Sequence, residues 1–115
     1  MTNASATTLS PLTREAYRTR TGASFQTPPV RIIHLGLGAF HRAHQAWFTA
    51  DVDEQGEWGI AAFTGRSAQA ALELAPQDGL YTLIERSDSG DTASVVTSIV
   101  EAVDGSMCAG KRLRR

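Results

Sequence analysis

A chain of 115 residues with a net charge of −1 is long enough for one domain and one modest core, burying roughly two-thirds of its extended-chain surface. Its 42% hydrophobic and 20% charged residues are those of a globular protein, and no window approaches the ~20 consecutive apolar residues of a membrane span. The charge is uneven: residues 1–110 hold seven arginines against twelve acids, which argues against a folded nucleic-acid-binding face, and Lys111-Arg112-Leu113-Arg114-Arg115 reads as a basic, solvated tail. Met1 to Ser10 lacks the basic start and apolar segment of a secretory signal. Cys108 is the single cysteine, so no internal disulfide forms, which suits a cytoplasmic setting.

Residues 1–27 mix Thr, Ser, Arg and Gly and read as an arm, with one short helix predicted around Pro11–Tyr17. Pro28-Pro29 enforces an extended lead-in. Val30–Leu35 is almost unbroken in Val, Ile and Leu and predicts a strand covered on both faces. Gly36-Leu37-Gly38 then turns the chain into a predicted helix over Phe40–Asp53, whose Phe40, Ala43, Ala46, Trp47 and Ala50 form one apolar stripe. Trp58–Thr64 reads as a second buried strand. Ser67–Ala75 reads as a short helix with Ser67 as N-cap and Pro76 as its stop. Strand, helix, strand, helix implies a parallel sheet with right-handed crossovers. Leu80–Arg86 and Ser94–Val103 are both β-rich, and Ser87-Asp88-Ser89-Gly90-Asp91 between them predicts an antiparallel hairpin. From Gly105 the pattern fails.

The Gly36-x-Gly38 turn carries the chemistry. Between a strand and a helix, the first glycine permits the sharp bend and the second removes a side chain that would hold phosphate oxygens off the backbone amides. The bend at 36 to 38 is therefore expected to leave main-chain amides bare for a diphosphate; an ordinary tight strand-to-helix turn is the competing reading. His41 stands where the usual spacing has a third glycine, so it either widens the helix–strand contact or swings toward the cofactor, where an imidazole N–H suits a phosphate. His41 and His44 have a metal-compatible spacing, but no further ligand with a helpful spacing completes a site. The end of the second strand, Phe63-Thr64-Gly65-Arg66-Ser67, has no acid for a ribose hydroxyl. Arg66 there either pairs with the extra phosphate of NADP or is a solvated arginine at a helix start. Asp51, Asp53 and Glu54 belong to the helix end and loop. No catalytic residue is assigned: Lys111, the only lysine, sits in the tail, and Tyr81 in the hairpin reads as packing.

The run Ile33-His34-Leu35-Gly36-Leu37-Gly38-Ala39-Phe40-His41-Arg42-Ala43-His44-Gln45 resembles the amino-terminal signature of the polyol-specific long-chain dehydrogenases, a family that includes mannitol 2-dehydrogenase and fructuronate reductase. The likeness continues through Trp58-Gly59-Ile60, Gln77-Asp78-Gly79-Leu80-Tyr81-Thr82-Leu83 and Ser98-Ile99-Val100. The resemblance implies hydride transfer between NAD or NADP and a sugar alcohol or its ketose or keto-acid partner. It also implies a large helical substrate domain with a lysine base. Neither that lysine motif nor the family's Val-Asp-Arg segment occurs here, and Ser106–Arg115 departs from the family's run.

The expectation is an α/β chain: a partial Rossmann-like parallel sheet with flanking helices and an added antiparallel hairpin. Its units are an arm (1–27), a partial dinucleotide-binding domain (28–104) and an irregular basic tail (105–115), with the substrate domain absent. Gly36, Leu37, Gly38, Ala39, Phe40 and His41 would line the pyrophosphate, with Arg66 near the adenosine ribose. These 115 residues alone are expected to be inactive. A stand-alone adenine-nucleotide-binding module and a non-functional fragment stay open as alternatives.

Overall fold

The structure, a computed structural model, describes residues 12–22 and 26–105. The expectations for Met1 to Ser10 and for the tail from Ser106 onward lie outside the described residues.

Helix α1 is Arg14–Thr21. Thr13 Oγ1 accepts from the Ala16 amide at 3.1 Å, an N-cap that satisfies one orphan donor of the first turn. Gly22 closes the helix at φ 66°, where its amide returns to the Arg18 carbonyl. The helix begins and ends later than the predicted Pro11–Tyr17, and Arg14 ties it to the body. The Arg14 amide donates to Asp78 Oδ2 at 3.0 Å. Its Nε donates to the Asp78 carbonyl, and its Nη2 to the carbonyls of Thr97 and Ile99 at 3.0 and 2.8 Å. Burial pulls the guanidinium pKa below its ordinary value, and Asp78 opposes that pull.

Strands β1 (Val30–Leu35), β2 (Gly59–Phe63) and β5 (Ile99–Val103) form a parallel sheet in the order β1-β2-β5. Chain connection β1 to β2 runs through α2 (Ala39–Ala43) and α3 (Gln45–Val52). The single helix predicted over Phe40–Asp53 is thus broken at His44, whose φ −121° and ψ −75° are not helical. The apolar stripe holds only in its second half: Ala46 is fully buried and Trp47 and Ala50 pack on the core, whereas Phe40 is 77% exposed.

Of the two strands expected to be covered on both faces, β2 is and β1 is not. Residues Gly59 to Ala62 are all buried, but Ile33 is 69% and Leu35 82% exposed. β2 lies between two neighbours, whereas β1 is at the sheet edge among the described residues.

After β2, α4 (Gln69–Leu74) is entered through Ser67, whose Oγ accepts from the Gln69 amide at 3.1 Å. A 3-10 turn, Ala75–Gln77, carries Pro76. Gly79 follows at φ 82°, so close to β5 that a Cβ would fall 2.0 Å from the Ile99 carbonyl oxygen. Only glycine fits there.

The predicted hairpin is corrected in its second arm. β3 (Tyr81–Glu85) pairs antiparallel with β4 (Thr92–Val96), from Tyr81 opposite Val96 to Glu85 opposite Thr92. The chain then leaves the hairpin at Thr97-Ser98, and Ile99–Val103 becomes the third parallel strand. The run 94–103 holds no Gly or Pro, so nothing in its composition marks the corner. Tertiary bonds make it: the buried Ser98 hydroxyl donates to the Ala46 carbonyl at 2.6 Å, the Ile60 amide donates to the Ser98 carbonyl at 2.8 Å, and Arg14 holds the carbonyls on either side.

The core lies between the sheet, the helices and the hairpin, centred on Leu37, Ile60, Ala62, Leu74, Val96 and Ile99.

Candidate functional site: the glycine turn at the carboxyl edge of the sheet

The carboxyl ends of the parallel strands are laced together. The Gly36 amide donates to the Phe63 carbonyl at 2.7 Å, and the Thr64 amide to the Val103 carbonyl at 2.9 Å. The Gly105 amide donates to Thr64 Oγ1 at 3.2 Å. Thr64 and Gly105 had no expected role, yet Gly105 leaves no room for a Cβ, which would lie 2.0 Å from the Thr64 carbonyl oxygen.

The turn grows out of this lacing. Gly36 has φ 126°, a region that L side chains rarely adopt, so a glycine is required by the bend itself. Its amide corrects the expectation of bare amides at every position of the turn, because the β1–β2 ladder continues one residue past Leu35 and takes it. Leu37 buries its side chain in the core and anchors the turn. Gly38 differs from Gly36: at φ −102° and ψ −176° it is ordinary extended backbone, and a Cβ there would meet nothing within 4 Å. Among the described residues, the amides of Leu37, Gly38, Ala39 and Phe40 donate to no protein acceptor. The chain itself does not require a glycine at 38. Free amides and the open volume beside them fit a close-approaching anionic group.

Phe40 stacks on His44, with ring centroids 4.1 Å apart, and the His44 ring nitrogen Nδ1 bonds the Phe40 carbonyl at 2.9 Å. His41 turns the other way, toward the strand. It is 6% exposed and stacks on His34 of β1 with ring centroids 3.7 Å apart and planes 8° from parallel. The missing third glycine is thus accommodated by two flat rings between helix and strand. His41 Nδ1 pairs with Gln45 Oε1 at 3.2 Å. An amide oxygen only accepts, so Nδ1 carries the hydrogen and Nε2 the lone pair. That buried Nε2 has no hydrogen-bond partner among the described residues. Burial first, then the neighbouring His34, hold the His41 pKa below the ordinary histidine value, and the bond to Gln45 opposes them.

Arg66 is exposed in the loop after β2 and makes no hydrogen bond or ion pair among the described residues. The acids weighed for the ribose are at the far end of the sheet. Asp53 accepts from the amides of Glu57 and Trp58 at 2.9 and 2.8 Å, shaping the entry to β2. A cavity of about 520 Å³ opens at that amino end, lined by Ile32, Val52, Asp53, Glu54, Glu57 and Trp58 among others. Tyr81 donates its hydroxyl to the Arg42 carbonyl at 2.6 Å, and burial raises its pKa far above the ordinary phenol value, which accords with packing. His41 and His44 face different partners, and no group of three or more His, Cys, Asp or Glu among the described residues is arranged to hold a metal.

A parallel sheet whose first strand ends in this turn defines a Rossmann-like domain. The sequence profile of the mannitol dehydrogenase Rossmann domain matches residues 30–110, and the chain belongs to that family. An uncharacterized oxidoreductase of Escherichia coli, YeiQ, is 38% identical over 80 residues, which cover 67% of this chain and 16% of that protein. The mannitol 2-dehydrogenase of Pyrenophora tritici-repentis is 40% identical over 75 residues, 61% of this chain and 13% of that protein. Among solved structures, mannitol 2-dehydrogenase of Pseudomonas fluorescens in a ternary complex with NAD and D-mannitol superposes with a TM-score of 0.62. Its sequence is 33% identical, over 77% of this chain and 19% of that one. The chain therefore spans only a small part of the length of these relatives. No helix among the described residues is long and apolar enough to cross a membrane.

Proposed function

We propose that this chain is the cofactor-binding portion of an oxidoreductase that moves a hydride between NAD or NADP and a sugar alcohol or its ketose or keto-acid partner. One observation carries the reading: the family match begins at the strand that feeds a glycine turn with free amides and open space at Gly38. In this reading the unit is residues 28–104, flanked by the 1–27 arm and the 105–115 basic tail. Gly36 sets the bend, and the main chain of Leu37, Gly38, Ala39, Phe40 and His41 lines the diphosphate, with the Leu37 side chain and the His41 ring packed behind it. Bound nicotinamide would supply the hydride acceptor or donor. Arg66 faces the adenosine ribose, where its cationic fork would pair with the 2′-phosphate of NADP, and NAD stays an equal reading. The substrate is a small polyhydroxy molecule, and the setting is cytoplasmic.

Hydride transfer also needs a positioned base, and the only lysine is Lys111, in the basic tail. These 115 residues by themselves are therefore expected to bind nucleotide without turnover. Calorimetric titration with NAD⁺, NADP⁺ and FAD, beside a mannitol oxidation assay, tests this. The expected result is binding of NAD⁺ or NADP⁺ and no steady NAD(P)H formation. Selective FAD binding points instead to a stand-alone nucleotide module, and failure to bind any of them overturns the assignment.

A further inference from the structure

The hollow at the amino end of the parallel sheet takes no part in the nucleotide reading, and it has an apolar floor. Val52 is 71% and Trp58 48% exposed where they line it, beside the half-buried Ile32. Its rim is a built loop. Both carboxylate oxygens of Asp53 hold amides of Glu57 and Trp58, which sets the exposed carboxylates of Glu54 and Glu57 at the edge. Neither glutamate is ion-paired among the described residues. The hollow adjoins a second one of about 280 Å³ across Asp53, Glu54 and Gln55, so the opening is a groove. One cation already uses this floor: the Arg31 guanidinium lies 5.6 Å from the centre of the Trp58 ring. Bared apolar side chains rimmed by unpaired acids fit a segment that is basic with an apolar centre.

The chain holds such a segment. Lys111-Arg112-Leu113-Arg114-Arg115 has two cations on each side of a leucine and carries +4, against −5 for residues 1–110. We propose that residues 111–115 dock in this groove of their own chain, with Leu113 on Val52 and Trp58 and the flanking cations on Glu54 and Glu57. Two cations on either side of the leucine meet the rim whichever way the segment runs. The reach suffices. Gly105 is held to Thr64 at the carboxyl end of the sheet, and the hollow lies at Ile32, which pairs with Ile60. Ile60 to Thr64 is about 13 Å of strand, and the step across to β1 adds about 5 Å. The eight residues from 106 to 113 span up to about 28 Å when extended. None of these residues belongs to the glycine turn, so the nucleotide reading stands or falls separately.

Cys108, the single cysteine, stands three residues before the segment and takes a nitroxide label without any substitution. In the ¹⁵N-labelled 115-residue chain the label should broaden the Trp58 indole N–H and the amides of residues 54–57. The broadening should not depend on protein concentration, and it should fade as NaCl rises from about 0.1 M to about 1 M. Glu54→Lys/Glu57→Lys changes two exposed side chains and should abolish it. Adding Lys111→Glu, Arg112→Glu, Arg114→Glu and Arg115→Glu to that variant should restore it, and Leu113→Asp alone should abolish it. Should a variant fail to fold, the salt series on the unaltered chain decides. No broadening at low salt overturns the proposal. So does broadening that survives high salt and charge reversal. Broadening seen only when labelled and ¹⁵N copies are mixed puts a second copy's segment in the groove and overturns docking within one chain.

Discussion

At the amino end of the parallel sheet the loop before β2 has its amides capped, because one carboxylate, Asp53, accepts from both Glu57 and Trp58. The hollow beside it holds about 520 Å³ and is rimmed by acids. At the carboxyl end no side chain accepts from the turn after β1, and the amides from Leu37 to Phe40 are without protein acceptors among the described residues. The two ends share a sheet and differ in which groups are left unsatisfied. The unsatisfied donors direct an anion to the carboxyl end, because a free amide gains more from an anion than an amide already bonded to a carboxylate.

Substitutions can break this contrast in order of expected size. Gly38→Val should weaken nucleotide binding most, by about a hundredfold, with little change in Tm. Its backbone is extended and a Cβ meets nothing in the protein, so the loss falls on the ligand's approach. Calorimetry with a parallel melting curve checks this, and a folded variant with unchanged affinity would count against the turn. Gly36→Val should harm fold and binding together, destabilising by about 1–3 kcal/mol because φ 126° is strained for a β-branched residue. Denaturant unfolding measures that difference.

Asp53→Ala reverses the pattern. It should cost about 1–2 kcal/mol of stability through the two uncapped amides and leave nucleotide affinity within about twofold. Arg66→Ala should weaken NADP⁺ about fivefold, leave NAD⁺ nearly unchanged and not alter unfolding, since the side chain is exposed. A smaller effect is expected with pH. The folded His41 has a lowered pKa, so the unfolded chain takes up its proton first. Stability is full above the ordinary histidine value of about 6.5 and declines as the pH falls below it. Melting temperatures measured without nucleotide from about pH 8 down to about pH 5.5 should fall at the acid end, and less so in His41→Phe.

Much of this molecule is legible residue by residue. The almost unbroken Val, Ile and Leu of β1, the Gly-x-Gly that follows it, the buried run of β2 and the turn cluster at Ser87–Asp91 each announce local structure through chain stiffness or freedom. Gly36 is legible for the same reason, since a positive φ has few solutions, whereas Gly38, extended in backbone, is legible only through its spacing from Gly36. The corner at Thr97-Ser98 is not, because the ten residues 94–103 run through it with no Gly or Pro to break them. Arg14 is not legible either: in sequence it is one arginine of a polar arm, and in space it bonds carbonyls more than eighty residues away. His41 was noticeable as the residue in place of a third glycine, but its direction was undetermined until His34 was seen beneath it.

The amino-acid sequence by itself determined the strand–turn–helix at the start of the sheet, the second strand, the hairpin and the family, all of which follow from short-range pattern and the conformational range of glycine. Tertiary structure alone decided that the strand after the hairpin returns to the parallel sheet, that β1 bares Ile33 and Leu35, and that the two histidines stack. Each of these depends on which atoms meet across long stretches of chain, and a hydrogen bond or a ring contact has no sequence signature until both partners are brought together.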